Sequence, residues 1–331
     1  MTGSPVPGGS PASGVDAGAQ DGAVPALRLG TRASALALAQ SGMVAAALTA
    51  ATGRAVELVH ITTYGDTSSE ALSRIGGTGV FVNALRDALL AGDIDFAVHS
   101  LKDLPTAPPV DGAGNEVLHL AAVTERAAVN DALVARDGLK LADLPAGAKV
   151  GTGAARRMAL VRMLRPDLEV VPIRGNVDTR VNFVRGGRLD AVVVALAGLQ
   201  RLGRQDEATE VFGPDVMLPS PGQGALAVEC RDPALVPVLA ALDHPPTRAA
   251  VTAERSMLAV LEAGCSAPVG GHAVAADDNV LALTGVVATV SGSRGLRLSA
   301  TGPVADAAGL GRRLAEELLA QGAAELMESA Q

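Results

Sequence analysis

The side chains of this 331-residue chain best suited to chemistry are grouped just after short apolar runs. Thr31, Arg32 and Ser34 follow Ala26-Leu-Arg-Leu-Gly30, and His99, Ser100, Lys102 and Asp103 follow Ile94-Asp-Phe-Ala-Val98. Thr152, Arg156 and Arg157 follow Lys149-Val-Gly151, and Arg174, Asn176 and Arg180 come at the end of Glu169–Ile173. Guanidinium forks pair with carboxylates in bidentate fashion, so cations and hydroxyls gathered this way are the electrostatic signature of a site for a polyanionic ligand. Phosphate would satisfy the charge, but the loops lack P-loop or dinucleotide spacing, and Gly76-Gly-Thr-Gly79 alone is a weak signal. Carboxylates suit the arginines better. Arg162, Arg165, Arg185 and Arg188 read as solvated or ion-paired surface groups. Lys102 and Asp103 also fit a helix-starting pair, and His99 a packed structural histidine. Cys230, in an apolar run, reads as an inert core residue. Cys265 lies in the small-residue loop Glu262-Ala-Gly-Cys-Ser-Ala-Pro268, where a thiolate can be approached closely, and is a candidate for covalent function.

Such groups converge only if the preceding runs are neighbouring parallel strands, because ligands in open α/β sheets collect at the carboxyl ends of strands. The pattern predicts a strand at Ala26–Gly30, a helix from about Ser34 to Thr49 ended by Gly53, a strand Val56–Thr62, a helix opened by Gly76–Gly79 and running to Leu90, and a strand Ile94–Val98. This βαβα alternation favours a mostly parallel sheet flanked by helices. After the Pro105–Gly114 loop and a strand near Leu118–Val123, it restarts around Asp131. Strands are expected at Ala132–Ala135, Lys149–Gly151, Glu169–Pro172 and Asp190–Val194, and helices at Ala154–Leu164, Val177–Arg185 and Ala197–Leu202. A strand at Leu226–Glu229 is too isolated to start a domain and can pair back onto the first sheet. Beyond Pro246 come a helix Thr247–Leu261, strands near Val280–Val290 and Leu296–Thr301, and a final helix Ala305–Ala320. The expected organisation is a disordered leader over 1–25, an α/β domain over 26–124 plus 220–243, a second α/β domain over 125–219 and an α+β domain over 246–331.

A net charge of -8 argues against a general nucleic-acid or membrane-surface binder. Lysine occurs only at Lys102, Lys140 and Lys149, so nearly all the positive charge is arginine. The two cysteines show no zinc spacing, so no metal is expected. The N-terminus lacks the basic and apolar regions of a signal peptide, and no apolar run approaches a membrane span; the expectation is a cytoplasmic protein.

Seven segments, in order, resemble the porphobilinogen deaminase family, also called hydroxymethylbilane synthases. They are Leu29-Gly-Thr-Arg-Ala-Ser34 with Gln40, Gly76-Gly-Thr-Gly-Val-Phe81, Ala97-Val-His-Ser-Leu-Lys-Asp-Leu-Pro105, Arg174-Gly-Asn-Val-Asp-Thr-Arg180, Ala197-Gly-Leu-Gln-Arg-Leu-Gly203, Pro219-Ser-Pro-Gly-Gln-Gly-Ala225 and the Cys265 loop. The resemblance runs from about Leu27 to the C-terminus. It implies two periplasmic-binding-protein-like α/β domains with a smaller C-terminal α+β domain. It also implies a monomeric transferase of haem biosynthesis that condenses four porphobilinogen units head to tail, with loss of ammonia, to hydroxymethylbilane. A dipyrromethane cofactor, held by a thioether to Cys265, and an ionised catalytic Asp103 follow from it. So does the assignment of Arg32, Ser34, Gln40, Phe81, Ser100, Lys102, Thr152, Arg156, Arg157, Arg174, Asn176, Arg180, Arg201 and Gln223 to cofactor or substrate. The chain departs from the family pattern at Thr78, where lysine is common, at Ala154, where serine is frequent, and at Tyr64. Two rival readings are a non-catalytic solute-binding protein of the same fold and a cysteine hydrolase pairing Cys265 with His99 or His244.

Overall fold

The computed structural model describes residues 1–3, 25–61, 80–263 and 267–328, with 80 and 81 described by backbone alone. The apolar runs become β1 (Leu27–Thr31), β2 (Val56–His60), β3 (Phe96–Ser100) and β4 (His119–Val123), with helices α1 (Ala35–Thr52) and α2 (Val80–Ala91) between them. Ser34 caps α1 by accepting from the amide of Ala37, and Gly53 ends it in the left-handed conformation at φ 69°. β3 begins two residues later than its apolar run; just before it, the Asp95 carboxylate accepts from the Arg28 amide and guanidinium, both at 2.7 Å.

The second group comprises β5 (Asp131–Ala135), β6 (Lys149–Thr152), α3 (Ala155–Leu164), β7 (Glu169–Pro172), α4 (Val177–Arg185), β8 (Ala191–Ala195), α5 (Leu196–Arg201) and the two-residue β9 (Glu210–Val211). Then follow β10 (Leu226–Cys230), the short α6 (Val236–Leu239), α7 (Pro245–Val260), β11 (Val269–Asp277), β12 (Val280–Ala288), β13 (Gly295–Pro303), α8 (Ala307–Ala320) and α9 (Ala323–Glu328). β11 has no counterpart in the strands expected from sequence.

These strands make three sheets: β2-β1-β3-β10-β4, β7-β6-β8-β5-β9 and the antiparallel β11-β12-β13. In each five-stranded sheet three parallel strands adjoin an antiparallel fourth, which is β10 in the first and β5 in the second. The chain is thus an α/β fold of two similarly wound units with a smaller sheet-and-helix unit at its C-terminal end. Each has its own apolar interior; the third is built on Met257, Leu283, Leu310, Leu314 and Leu318, all fully buried. α7 and α8 meet so closely there that a Cβ on Gly311 would lie 2.2 Å from the Ala253 carbonyl oxygen.

Helix α1 corrects one expectation. By length and composition it is, among the described helices, the one long and apolar enough to cross a membrane. In the fold its Gln40, Ser41, Val44 and Leu48 are buried, and Gln40 and Ser41 hydrogen-bond to Ser100 and Thr31 of the first sheet.

The chain passes between the two five-stranded sheets twice, through residues 124–130 and 219–225. These segments lie side by side, with the Ala127 amide donating to the Gly224 carbonyl at 3.2 Å. Gly224 has φ +91°, and a Cβ there would sit 2.5 Å from the Ala127 carbonyl oxygen, so only glycine fits. The fully buried Glu254 of α7 locks the crossing to the third unit. Its carboxylate takes a two-pronged bond from Arg126 at 2.6 and 3.0 Å, and accepts from the amides of Gly222 at 2.7 Å and Ala273 at 2.8 Å. Four donors satisfy the buried charge, the condition under which such burial is tolerated.

Candidate functional site

The parallel strands of the first sheet end at Thr31 and Ser100, and a cleft opens there, lined by Arg32, Ser34, Gln40, His99, Ser100 and Asp103 among others. Gln40 donates from Nε2 to Ser100 Oγ at 3.0 Å, fixing the hydroxyl that follows β3. Residues Leu101–Asp103 form one turn of 3₁₀-helix, closed by the Leu104 amide bonding to the Leu101 carbonyl at 3.1 Å. This turn buries Leu101 and Leu104 while leaving Asp103 exposed to the cleft. Ser34 spends an acceptor lone pair on the Ala37 amide, which leaves its O–H to donate.

Behind the cleft, His99 is buried with Nε2 3.1 Å from Glu229 Oε2, and Glu229 also takes Arg86 at 2.7 and 3.0 Å. Burial opposes ionisation of Glu229, but hydrogen bonds from His99 and Arg86 outweigh it and hold the carboxyl down at about 2. His99 therefore belongs to a paired internal cluster. Cys230, on the same strand as Glu229, is buried, and that burial pushes its thiol up to about 11.

The second sheet delivers most of the positive charge, and its two adjacent arginines carry internal partners of their own. Arg156 and Arg157 do not point at open space. Arg156 Nη2 donates to Asp131 Oδ2 at 2.7 Å, and Arg157 donates to Asp131 Oδ1 from Nε at 3.0 Å and Nη2 at 2.7 Å; all three side chains are buried. Arg156 Nη1 reaches the Leu218 carbonyl at 2.6 Å. Gln223 is likewise an internal strut: its amide donates to Asp131 at 2.8 Å and to the Val129 carbonyl at 2.7 Å, while its oxygen accepts from Lys102 at 3.2 Å and Arg157 at 3.3 Å. Asn176 is exposed and caps α4 by accepting from the Thr179 amide at 2.8 Å. Arg174 is exposed at the same turn. Ala154, at the start of α3, offers no side-chain cap where a serine would.

The cluster nevertheless holds more buried positive than negative charge. Burial and the neighbouring Arg157 push the Lys102 ammonium down to about 8, although Asp103 and Asp131 pull it up, and the residue as a whole keeps partial exposure. Burial also lowers Arg180, which feels Arg157 unfavourably and Asp103 favourably, and it lowers Arg201. The Asp103 carboxylate of the first sheet therefore faces cations of both sheets. Thr152 Oγ1, Arg156 Nε and Arg201 Nε are buried and lack a hydrogen-bond partner among the described residues. Unmatched buried donors and desolvated guanidiniums fit a ligand carrying several carboxylates. Among the described residues no group of three His, Cys, Asp or Glu is placed to hold a metal.

Cys265, the side chain of Phe81, Thr78 and Tyr64 lie outside the described residues. Reasoning from sequence missed Asp131, Glu229 and Glu254, the three buried carboxylates that organise the arginines. Glu254 had a signal: it falls on the stripe Ala250, Ala253, Met257 that faces the core.

Residues 27–235 match the family model described as porphobilinogen deaminase, dipyromethane cofactor binding domain, and residues 248–320 match that of the porphobilinogen deaminase C-terminal domain. The chain is 60% identical over 316 residues to porphobilinogen deaminase 1 of Streptomyces coelicolor, covering 91% of this chain and 97% of that one. It is 55% identical over 313 residues to the porphobilinogen deaminase of Thermobifida fusca, covering 92% and 96%. Among solved structures, an ABC transporter periplasmic substrate-binding protein from Coxiella burnetii is similar at 16% identity and a TM-score of 0.42, over 67% of this chain and 94% of that one.

Proposed function

Because this chain belongs to the porphobilinogen deaminase family, we propose that it is a cytoplasmic, monomeric transferase in which Asp103 is the catalytic carboxylate and Cys265 the cofactor anchor. It is an enzyme that condenses porphobilinogen units, with loss of ammonia, using a dipyrromethane cofactor. The assigned division is 26–124 with 220–243, then 125–219, then 246–331, after a leader over 1–25.

The bound dipyrromethane supplies the free pyrrole α-carbon to which substrate is joined. Each substrate ring carries an acetate and a propionate arm, and Arg32, Lys102, Arg180 and Arg201 are the cations we assign to such carboxylates. Thr152 Oγ1 and the Arg156 Nε add buried donors without partners among the described residues. Arg174 and Asn176, exposed at the β7–α4 turn, would meet carboxylates at the rim, and Ser34 and Ser100 donate beside Asp103. Arg157 and Gln223 act one step back, by holding Asp131 and Lys102. Loss of ammonia from porphobilinogen leaves a cationic azafulvenium. The Asp103 carboxylate, exposed in the cleft at the end of β3, stabilises that positive charge and, once the new carbon–carbon bond has formed, the cationic ring until its α-hydrogen leaves as a proton. Lys102 beside it is charged below about pH 8 and holds an arm of the ring being processed.

One observation carries this reading: Asp103, exposed in the cleft at the end of β3, lies beside the enclosed cations Lys102 of the first sheet and Arg180 of the second. Intact mass of the purified protein tests the anchor. A mass increase of two linked pyrroles, absent in Cys265→Ser, is expected; an unmodified chain unable to consume porphobilinogen overturns it and favours a solute-binding protein. Asp103→Ala should retain cofactor while turnover collapses, and near-normal turnover refutes its catalytic role.

A further inference from the structure

Asp103 sits on a single turn of 3₁₀-helix, which is too short to hold a carboxylate in place by its own hydrogen bonds. Its support comes from elsewhere. In front, the Leu101 amide bonds to the Ala225 carbonyl at 3.0 Å. Beneath, Leu101 and Leu104 are buried against Ala225, Ala227 and Val251. Behind lies Arg255, on α7 of the C-terminal unit. Its Nη1 donates to the Leu104 carbonyl at 2.9 Å and, at 3.4 Å, to that of Leu101, and its Nη2 donates to the Pro105 carbonyl at 2.6 Å.

We propose that Arg255 is a positioning residue for catalysis: its guanidinium clamps the carbonyls of Leu101, Leu104 and Pro105 and thereby fixes Asp103 in the cleft. The inference rests on the reading of Asp103 as the catalytic carboxylate. Three features separate this side chain from an ordinary surface arginine. It contacts three backbone carbonyls of the Leu101–Pro105 segment that carries Asp103. A planar fork can span these acceptors, whereas an ammonium offers only a point charge. A cavity of about 220 Å³, lined by Leu101, Thr106, Val251 and Arg255, lies on this side of the turn, so the backbone has room to sag if the clamp is removed. Finally, α7 is followed within ten residues by Cys265, so one helix holds the catalytic turn at its side and leads to the anchor at its end.

Arg248, two turns earlier on α7, is the control. It lines the same cavity but hydrogen-bonds to Asp243 and the Ala121 carbonyl instead of the turn. The test uses holoenzymes of Arg255→Ala, Arg255→Lys and Arg248→Ala. Arg255→Ala should keep the cofactor mass and its KM for porphobilinogen while kcat falls roughly 10- to 100-fold, the penalty for misplacing a catalytic group by about 1 Å. Arg255→Lys should recover part of kcat, and the Leu104 amide should exchange with solvent faster in Arg255→Ala than in Arg248→Ala. A kcat loss no greater than that of Arg248→Ala overturns the proposal, as does an unchanged Leu104 exchange rate. Asp103→Asn, measured alongside, separates the two claims. Near-normal turnover there overturns the role of Asp103, whereas failure of the clamp shows in the exchange rate, which reports the turn whatever Asp103 does.

Discussion

Asp131→Asn removes one negative charge from the centre of the arginine cluster without changing its shape. In the native chain this carboxylate has no exposed surface and receives three guanidinium bonds of 2.7, 3.0 and 2.7 Å and an amide bond of 2.8 Å. Removing the charged partner of such a group leaves two buried guanidiniums without an anion, and breaking a buried ion pair costs about 3–5 kcal/mol. Asn keeps one acceptor, so about 3 kcal/mol is expected for it and about 5 kcal/mol for Asp131→Ala. Although burial disfavours the charge, Arg156 and Arg157 hold the Asp131 carboxyl well below the ordinary carboxylate range. A carboxyl depressed by folding stabilises fully above its unfolded pKa of about 4, and the contribution is lost as pH falls below that. The gap between wild type and Asn variant should therefore be full at neutral pH and narrow in acid. Equilibrium urea unfolding of the cofactor-free proteins at several pH values measures it. Loading with the carboxylate-bearing cofactor should shrink the gap, since its arms can supply the missing anion. A neutral-pH difference below about 1 kcal/mol, the range of exposed pairs, refutes the reasoning, as does a gap that widens on acidification.

Two further expectations follow from other groups. Glu254→Gln offers one oxygen where Gly222, Ala273 and Arg126 now share two, so an amide and a guanidinium lose their acceptor; about 3–5 kcal/mol of stability should go, with proteolysis appearing first near residues 219–225, and intact protease resistance would contradict this. Lys102 is charged only below about pH 8, so loading of the cofactor-free chain with porphobilinogen should slow as pH rises through that value, while Lys102→Arg stays flat; parallel profiles would rule Lys102 out as a carboxylate ligand. Folding lowers this ammonium, so its contribution to stability moves the other way, improving between about pH 8 and the unfolded value of about 10.4.

The winding of both α/β units was legible because the inner strands β3 and β8 are buried over all but their last residue and read as continuous apolar runs punctuated by turns, whereas the edge strands β2 and β7 are partly exposed. The strand-end placement of Arg32, Ser100 and Asp103 followed from the same pattern. β11 was not legible: Gly270, Gly271, His272 and a polar end at Asp277 interrupt the hydrophobic run, and pairing with β12 compensates in a way no local signal reveals. Asp131 was passed over because aspartate before an apolar run reads as a turn; its role depends on two arginines 25 and 26 residues away on another element. The same long-range pairing with Arg156 and Arg157 could not be read from their spacing. Sequence spacing reports that a guanidinium is near a strand end, while only the fold reports which anion reaches it first.

The interleaving of β10 into the first sheet has a consequence for synthesis. β1 to β4 leave the ribosome about a hundred residues before the strand that belongs between β3 and β4. Until residue 230 has emerged, β3 has an open edge and β4 has no partner in that sheet, whereas the second sheet, over 131–211, is complete in one contiguous stretch. Domains generally fold in order of emergence from the N-terminus, but here the middle unit can finish first. The nascent N-terminal unit meanwhile presents unpaired apolar strands, the feature most prone to wrong pairing. That edge stays open until its last strand arrives, and slowing translation just before residue 226 would lengthen the exposure.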